Sequence, residues 1–107
     1  MSSEQVSNNM KWLMLGNKVR GYSVSASEEG MPIVTLDLHG LTGKHARKVL
    51  QNVININRGE FVLSLIHGFN HGTVLKEMIL EESWGGRVTD KKTNSWNPGQ
   101  TYLTVAA

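Results

Sequence analysis

Two short segments of this 107-residue chain carry residue types able to move protons beside a phosphate. In Leu36-Asp37-Leu38-His39-Gly40 an aspartate and a histidine stand two apart, so on an extended backbone both side chains leave the same face. A carboxylate so placed can orient the imidazole and support its protonated form, and histidine titrates close enough to neutrality to serve as a general acid or base. In Ile66-His67-Gly68-Phe69-Asn70-His71-Gly72 a histidine opens a glycine-bounded loop that leads into a helix. The free N–H groups of a helix start, together with glycines that let a ligand approach the backbone, can hold a phosphate. The loop is neither a strand-linked Gly-x-Gly-x-x-Gly nor a Walker loop, because Lys76 has no glycine-rich cradle spaced for it, which argues against dinucleotide and nucleoside triphosphate roles. Asp-x-His equally serves a purely structural purpose, hydrogen-bonding the next loop.

These residues need two strands ending at one edge. Pro32 to Leu38 reads as a strand, with Ile33, Val34, Leu36 and Leu38 supplying its bulk and Gly40 ending it. Thr42 can cap a helix from Gly43 to about Asn57, with Leu41 stapled against Ala46. Ala46, Val49, Leu50, Val53 and Ile54 recur at helical spacing, opposite Lys44, Arg47, Lys48, Gln51 and Asn52. Phe61 to Ile66 is a nearly continuous apolar strand, as expected of a central parallel strand. Strand, helix and strand make a right-handed crossover, so His39 and His67 should emerge at the same edge, where ligand sites of open α/β sheets concentrate. A second helix fits Thr73 to about Glu82, ended by Gly85-Gly86. Arg87 to Thr93 and Thr101 to Val105 can pair as a hairpin across Asn97-Pro98-Gly99.

The remainder is polar or ambiguous. Residues 1–9 predict a flexible tail. Residues 10–31 predict either a covering strand or hairpin packed on the domain or an arm for homo-oligomers, with a turn at Gly16-Asn17. His45 has a surface or capping role by its position, and His71 either contacts phosphate or helps start its helix. Phe69 in the loop would suit base stacking if exposed. Trp12, Trp84 and Trp96 serve either bases or the core, and Tyr102 belongs to the last strand.

Composition narrows the classes. A chain of this length is one domain. With no cysteine, disulfides, thiolate chemistry and cysteine-based metal sites are excluded. No apolar run approaches a membrane span or a signal peptide, so a cytoplasmic protein without a membrane partner is expected. Lys plus Arg number 11 against 9 Asp plus Glu, a formal charge of +2. Its distribution matters more: Lys44, Arg47, Lys48 and Lys76 gather near the helix starts, while Glu77, Glu81 and Glu82 lie further on, an asymmetry suited to a phosphate-bearing partner.

The combination of Leu36-Asp37-Leu38-His39-Gly40, the amphipathic helix after it, Ile66-His67-Gly68 and Gly72-Thr73-Val74-Leu75-Lys76 resembles the Smr (small MutS-related) domain, which also ends MutS2 proteins. The resemblance covers about residues 32–105. It implies a two-layer βαβαββ α/β sandwich with a mixed sheet, like the C-terminal domain of a bacterial translation initiation factor. It also implies nucleic-acid binding with DNA nicking or RNA cleavage, and so an endonuclease or hydrolase. Asp37 and His39 match the polar positions of the family's Leu-Asp-Leu-His motif, both linked there to nuclease activity, and His67 and Gly68 match the start of its His-Gly-x-Gly or Thr-Gly-x-Gly motif. Asn70 replaces the closing glycine.

The expected mechanism is phosphodiester cleavage. With RNA, His39 or His67 takes the 2′-hydroxyl proton while the other protonates the leaving oxygen, and Asp37 orients His39. Lys44, Lys48, Lys76 and the loop of Gly68, Phe69, Asn70, His71 and Gly72 hold the phosphate. DNA lacks that nucleophile and would call for activated water, with Mg2+ or Mn2+ as the only cofactors to consider. The competing expectations are a noncatalytic module binding nucleic acid or the ribosome, and a structural protein that self-associates.

Overall fold

The computed structural model of the chain describes residues 1–15, 19, 21–68 and 72–107. Its elements run α1 (Ser3–Leu13), β1 (Gly21–Ala26), β2 (Pro32–Asp37), α2 (Gly43–Ile56), β3 (Phe61–Ile66), α3 (Gly72–Glu81), a 3-10 turn at Trp84–Gly86, β4 (Val88–Thr93) and β5 (Gln100–Val105). The five strands form one mixed sheet in the order β1-β2-β3-β5-β4. Only β2 and β3 are parallel neighbours; every other pair is antiparallel.

Side-chain alternation divides the sheet into two unlike faces. Val34, Leu36, Leu63, Leu65, Leu103 and Val105 point to one side and are fully buried. Against them pack Ala46, Val49, Leu50, Val53 and Ile54 of α2, with Leu75 and Ile79 of α3. The helical repeat that the sequence shows is thus the buried stripe of a covering layer. The alternate residues, Ile33, Thr35 and Asp37 on β2, Val62 and Ile66 on β3, and Gln100, Tyr102 and Thr104 on β5, are only half-buried.

The helix ends are tied down by cations from the last third of the chain. Arg87 donates to the carbonyls of Ile54 (2.5 Å), Asn57 (2.9 Å), Gly59 (3.1 Å) and Ala106 (2.9 Å), fastening the end of α2 to the start of β3 and to the C-terminus. Lys91 donates to the carbonyls of Leu80 (2.7 Å) and Glu82 (2.6 Å) at the end of α3. Unpaired carbonyls and the negative end of the helix dipole make these natural cation sites. Trp84 is buried and donates its indole N–H to the Ile79 carbonyl at 3.0 Å, so it belongs to the core rather than to a base-binding surface.

Residues 1–9, whose polarity predicts a flexible tail, fold differently. Ser2 and Gln5 form a reciprocal capping box, 2.8 and 3.2 Å, and the helix they start places Val6 and Met10 one turn apart with no exposure. Val6 and Met10 at i and i+4 carry the buried contact, with Leu13 packed beside them, while Glu4, Gln5, Ser7, Asn8, Lys11 and Trp12 face water. Asn9 also donates to Ile56 O and Asn57 Oδ1, fastening the helix to the end of α2. Within residues 10–31, β1 pairs with β2 from Gly21↔Asp37 to Ala26↔Pro32, adding an edge strand to the sheet. The turn expected at Gly16-Asn17 lies outside the described residues.

If α1 is integral to the core, Met10→Ala should lower the unfolding free energy by about 2–4 kcal/mol in urea titrations. Trp12→Ala, on the exposed side of the same helix, should change it by no more than about 0.5 kcal/mol; equal effects would contradict the assignment.

Candidate functional site

The pairing of β2 with β3 is what brings the chemistry together. Its ladder runs from Ile33↔Val62 to Asp37↔Ile66, and Leu38 N–H extends it to the Ile66 carbonyl at 2.8 Å. Both strands therefore stop together, and the residues after them turn over the same edge. The β4–β5 turn joins them there, because β5 starts opposite the end of β3, Ile66↔Gln100. The starts of α2 and α3 meet at that end too: a Cβ added at Gly43 would stand 3.7 Å from Val74 Cγ1.

Asp37 and His39 form a couple. The Asp37 Oδ1 lies 2.5 Å from His39 Nδ1 and also accepts the His39 backbone N–H at 3.2 Å. This is the local Asx geometry that aspartate adopts two residues before a turn, here completed by Gly40 at φ +86° and by Leu41 N–H donating to the Leu38 carbonyl. An ionised carboxylate only accepts, so the bond fixes the hydrogen on Nδ1 and leaves the lone pair of the neutral ring on Nε2. The His39 side chain is 43% exposed and that of Asp37 28%. The ring is thus oriented from behind and open in front.

His67 has the opposite environment. It is 2% exposed, with Nδ1 3.1 Å from the Gly68 carbonyl and Nε2 2.9 Å from Thr101 Oγ1. The carbonyl requires the hydrogen on Nδ1, so Nε2 accepts from the Thr101 hydroxyl, and neither ring nitrogen remains for a substrate. Burial pushes the imidazole below its ordinary value of 6.5; the Gly68 carbonyl opposes this and the Lys76 ammonium adds to it. The catalytic role expected for His67 does not fit these surroundings. Its geometry is that of a neutral positioning residue that ties β3 to β5.

Gly68 explains why the join is so close. The backbone N–H groups of both His67 and Gly68 donate to the Gly99 carbonyl, at 2.9 and 3.1 Å. Gly68 sits at φ +82°, and a Cβ there would lie 3.7 Å from the Cβ of His39; a Cβ at Gly99 would press on Gly68 at 3.3 Å. Within the loop expected to hold a phosphate, the Gly68 N–H is thus donated to the Gly99 carbonyl.

Of the other expected phosphate ligands, the described ones stand on α2 and α3. Lys44 and Lys48 line a groove of about 290 Å³ on the outer side of α2 with Arg47, Gln51, Asn52 and Glu82, where Arg47 and Glu82 approach to 3.8 Å. Lys44 stands in the first turn and Lys48 about 6 Å further along the axis. Lys76 is half-buried on α3, which begins at Gly72. Phe69, Asn70 and His71 lie outside the described residues. His45 serves the cap: its backbone N–H is the donor that Thr42 accepts, at 3.1 Å. Thr101 and Gly99, which hold His67 and Gly68, were not singled out by the sequence; only the Asn97-Pro98-Gly99 turn signal marked their neighbourhood.

Among the described residues no group of three or more His, Cys, Asp or Glu side chains comes together, and the Asp37 carboxylate is already bound to His39. No described helix is long and apolar enough to cross a membrane. Beside Asp37, Gly21, Ser23, Thr35 and Ile66 bound a groove of about 220 Å³. That is smaller than the roughly 300–1,000 Å³ of small-molecule pockets. No protein-family model, curated protein or solved structure matches the chain.

Because the folded state binds neutral His67, the unfolded chain takes the proton first as pH falls below about 6.5. The contribution of His67 to stability should therefore be complete above that pH and decline below it, toward the lowered folded-state value. Urea titrations at several pH values should show wild type losing more stability on acidification than His67→Gln; parallel curves would remove the assigned role.

Proposed function

We propose that this domain cleaves phosphodiester bonds in nucleic acid as an endonuclease of the Smr type, with His39 as its general base. The observation that carries the reading is the Asp37–His39 couple, held in one tautomer by the carboxylate and half-open to solvent at the edge where two parallel strands end. Support also comes from the Leu-Asp-Leu-His motif around it and from the element order after Pro32, which runs βαβαββ. That order is the one expected of a domain like the C-terminal domain of a bacterial translation initiation factor. The shallow groove beside Asp37 favours a polymer lying on a surface over a small molecule enclosed in a cavity.

With RNA the chemistry follows from the couple. Nε2 of His39 takes the proton of a 2′-hydroxyl, and the freed oxygen attacks the adjacent phosphorus. The bond to the 5′-oxygen breaks, leaving a cyclic phosphate, and that oxygen takes a proton from water or from the imidazolium. Asp37 stabilises the imidazolium while it lasts, as an oriented carboxylate does for any histidine base. The inward-turned His67 favours one competing reading, a module that binds nucleic acid or the ribosome without cutting it, because it removes the second histidine an acid–base pair would use.

Cleavage of end-labelled single- and double-stranded RNA and DNA, with chelator and with magnesium or manganese, separates these readings. RNA cleavage should survive chelation and fall about 10²- to 10⁴-fold in His39→Ala. Asp37→Asn should also lose activity, since an amide can donate to Nδ1 and move the ring hydrogen to Nε2. Binding with no His39-dependent cut would establish the noncatalytic module instead.

A further inference from the structure

The tip of the β4–β5 turn carries an indole in open water. Trp96 is 95% exposed. A tryptophan left this open adds no buried apolar surface to the core, and its indole face is available for a contact. The turn that presents it is well ordered by its own bonds. Asn94 accepts the Trp96 N–H on Oδ1 at 2.9 Å, Asn94 N–H donates to the Gln100 carbonyl at 3.0 Å, and Asn97 Oδ1 accepts the Gly99 N–H at 3.1 Å. At its far end, Gly99 is locked onto Gly68, and Gly68 lies against His39.

The uncovered sheet face leads from this turn to the couple. Tyr102 is half-buried on it, and Lys92 of β4 stands directly opposite Tyr102. Asp37, Ile66 and Gln100 pair in register, so β2, β3 and β5 present one continuous surface. Strands about 4.8 Å apart place β5 roughly 10 Å from β2, a short step along a polynucleotide.

We infer that the substrate is an unpaired stretch of polynucleotide, gripped by stacking one base on Trp96, with Lys92 on a phosphate and the backbone crossing the uncovered sheet face to His39. The inference rests on the proposed function and names its substrate class. Stacking needs the face of a base free, so a continuous duplex offers nothing to Trp96; it is tolerant of base identity, so the grip selects strandedness rather than sequence. Trp96 is in this sense a specificity-determining residue that takes no part in proton transfer.

The test is fluorescence anisotropy of the full chain with labelled single-stranded RNA, single-stranded DNA of the same sequence and the corresponding duplexes. Trp96→Ala should weaken single-strand binding on the order of 10- to 100-fold, while Trp96→Phe keeps most of it. Trp12→Ala, the same loss of an exposed indole on α1, should bind as wild type. Lys92→Ala should lower the slope of log K against log salt by about 0.7. In the cleavage assay Trp96→Ala should raise KM with kcat unchanged. Comparing the RNA and DNA arms tells which polymer is held. Wild-type affinity in Trp96→Ala, or duplex bound as tightly as single strands, overturns this inference and leaves His39-dependent cleavage standing. Absence of any nucleic-acid binding overturns both. A stable dimer in which Trp96 is shielded from a soluble quencher without nucleic acid overturns it in favour of a second copy of the chain.

Discussion

The parallel ladder between β2 and β3 is the interaction on which the rest depends. A parallel pair needs a crossover, and α2 supplies it, bringing its buried stripe onto the sheet and its start back to the edge where the strands stop. Because the two strands end in register, the turn after Asp37 and the turn after Ile66 come to lie side by side. Shifting either strand by one residue would exchange its two faces. Leu36 and Leu38 would then meet water, and Asp37 would enter the core with no partner for its charge. The same hydrophobic constraint that holds the fold thus aims the carboxylate.

Two histidines that look equivalent along the chain are made unlike by what surrounds them. His39 is bonded at Nδ1 to a carboxylate, and its side chain is 43% exposed. His67 is bonded at both nitrogens to neutral partners and buried, which keeps it uncharged and fixes where β3 ends relative to β5. The division is coherent. The His39 ring meets solvent, whereas the Gly68–Gly99 contact beside it is close, and a neutral imidazole can satisfy two neighbours there without bringing charge into the core.

The sheet also has two unlike edges. β4 carries Asp90, Lys91 and Lys92 and a register irregularity between Val88 and Asp90, all of which discourage pairing with another chain. β1, Gly-Tyr-Ser-Val-Ser-Ala, has no charge and pairs with β2 without a bulge. α1 lies against it and contributes Val6 and Met10 to the shared core. The N-terminal segment thus completes the sheet and core around the crossover unit, on the side away from the β4–β5 hairpin.

Much of the fold was legible in the sequence because its signals are local. The repeat of Ala46, Val49, Leu50, Val53 and Ile54, the cap at Thr42 and the unbroken run of Phe61 to Ile66 each announce an element without reference to the rest, and the structure contains those elements at nearly the expected bounds. The meeting of the Asp37 and His67 turns at one edge was legible too, since two parallel neighbouring strands end on the same side of the sheet. Polarity misled at residues 1–9, where a capped helix start carries Val6, with Met10 one turn further on, into the core while most of the other side chains face water. Only the tertiary structure decided that β5 rather than β4 lies beside β3, that Thr101 and Gly99 therefore close over His67, and that Trp84 is buried while Trp96 stands in solvent. Those outcomes depend on which distant segments compete successfully for the same surface. No periodicity along the chain records that competition, because burial is a property of neighbours in space.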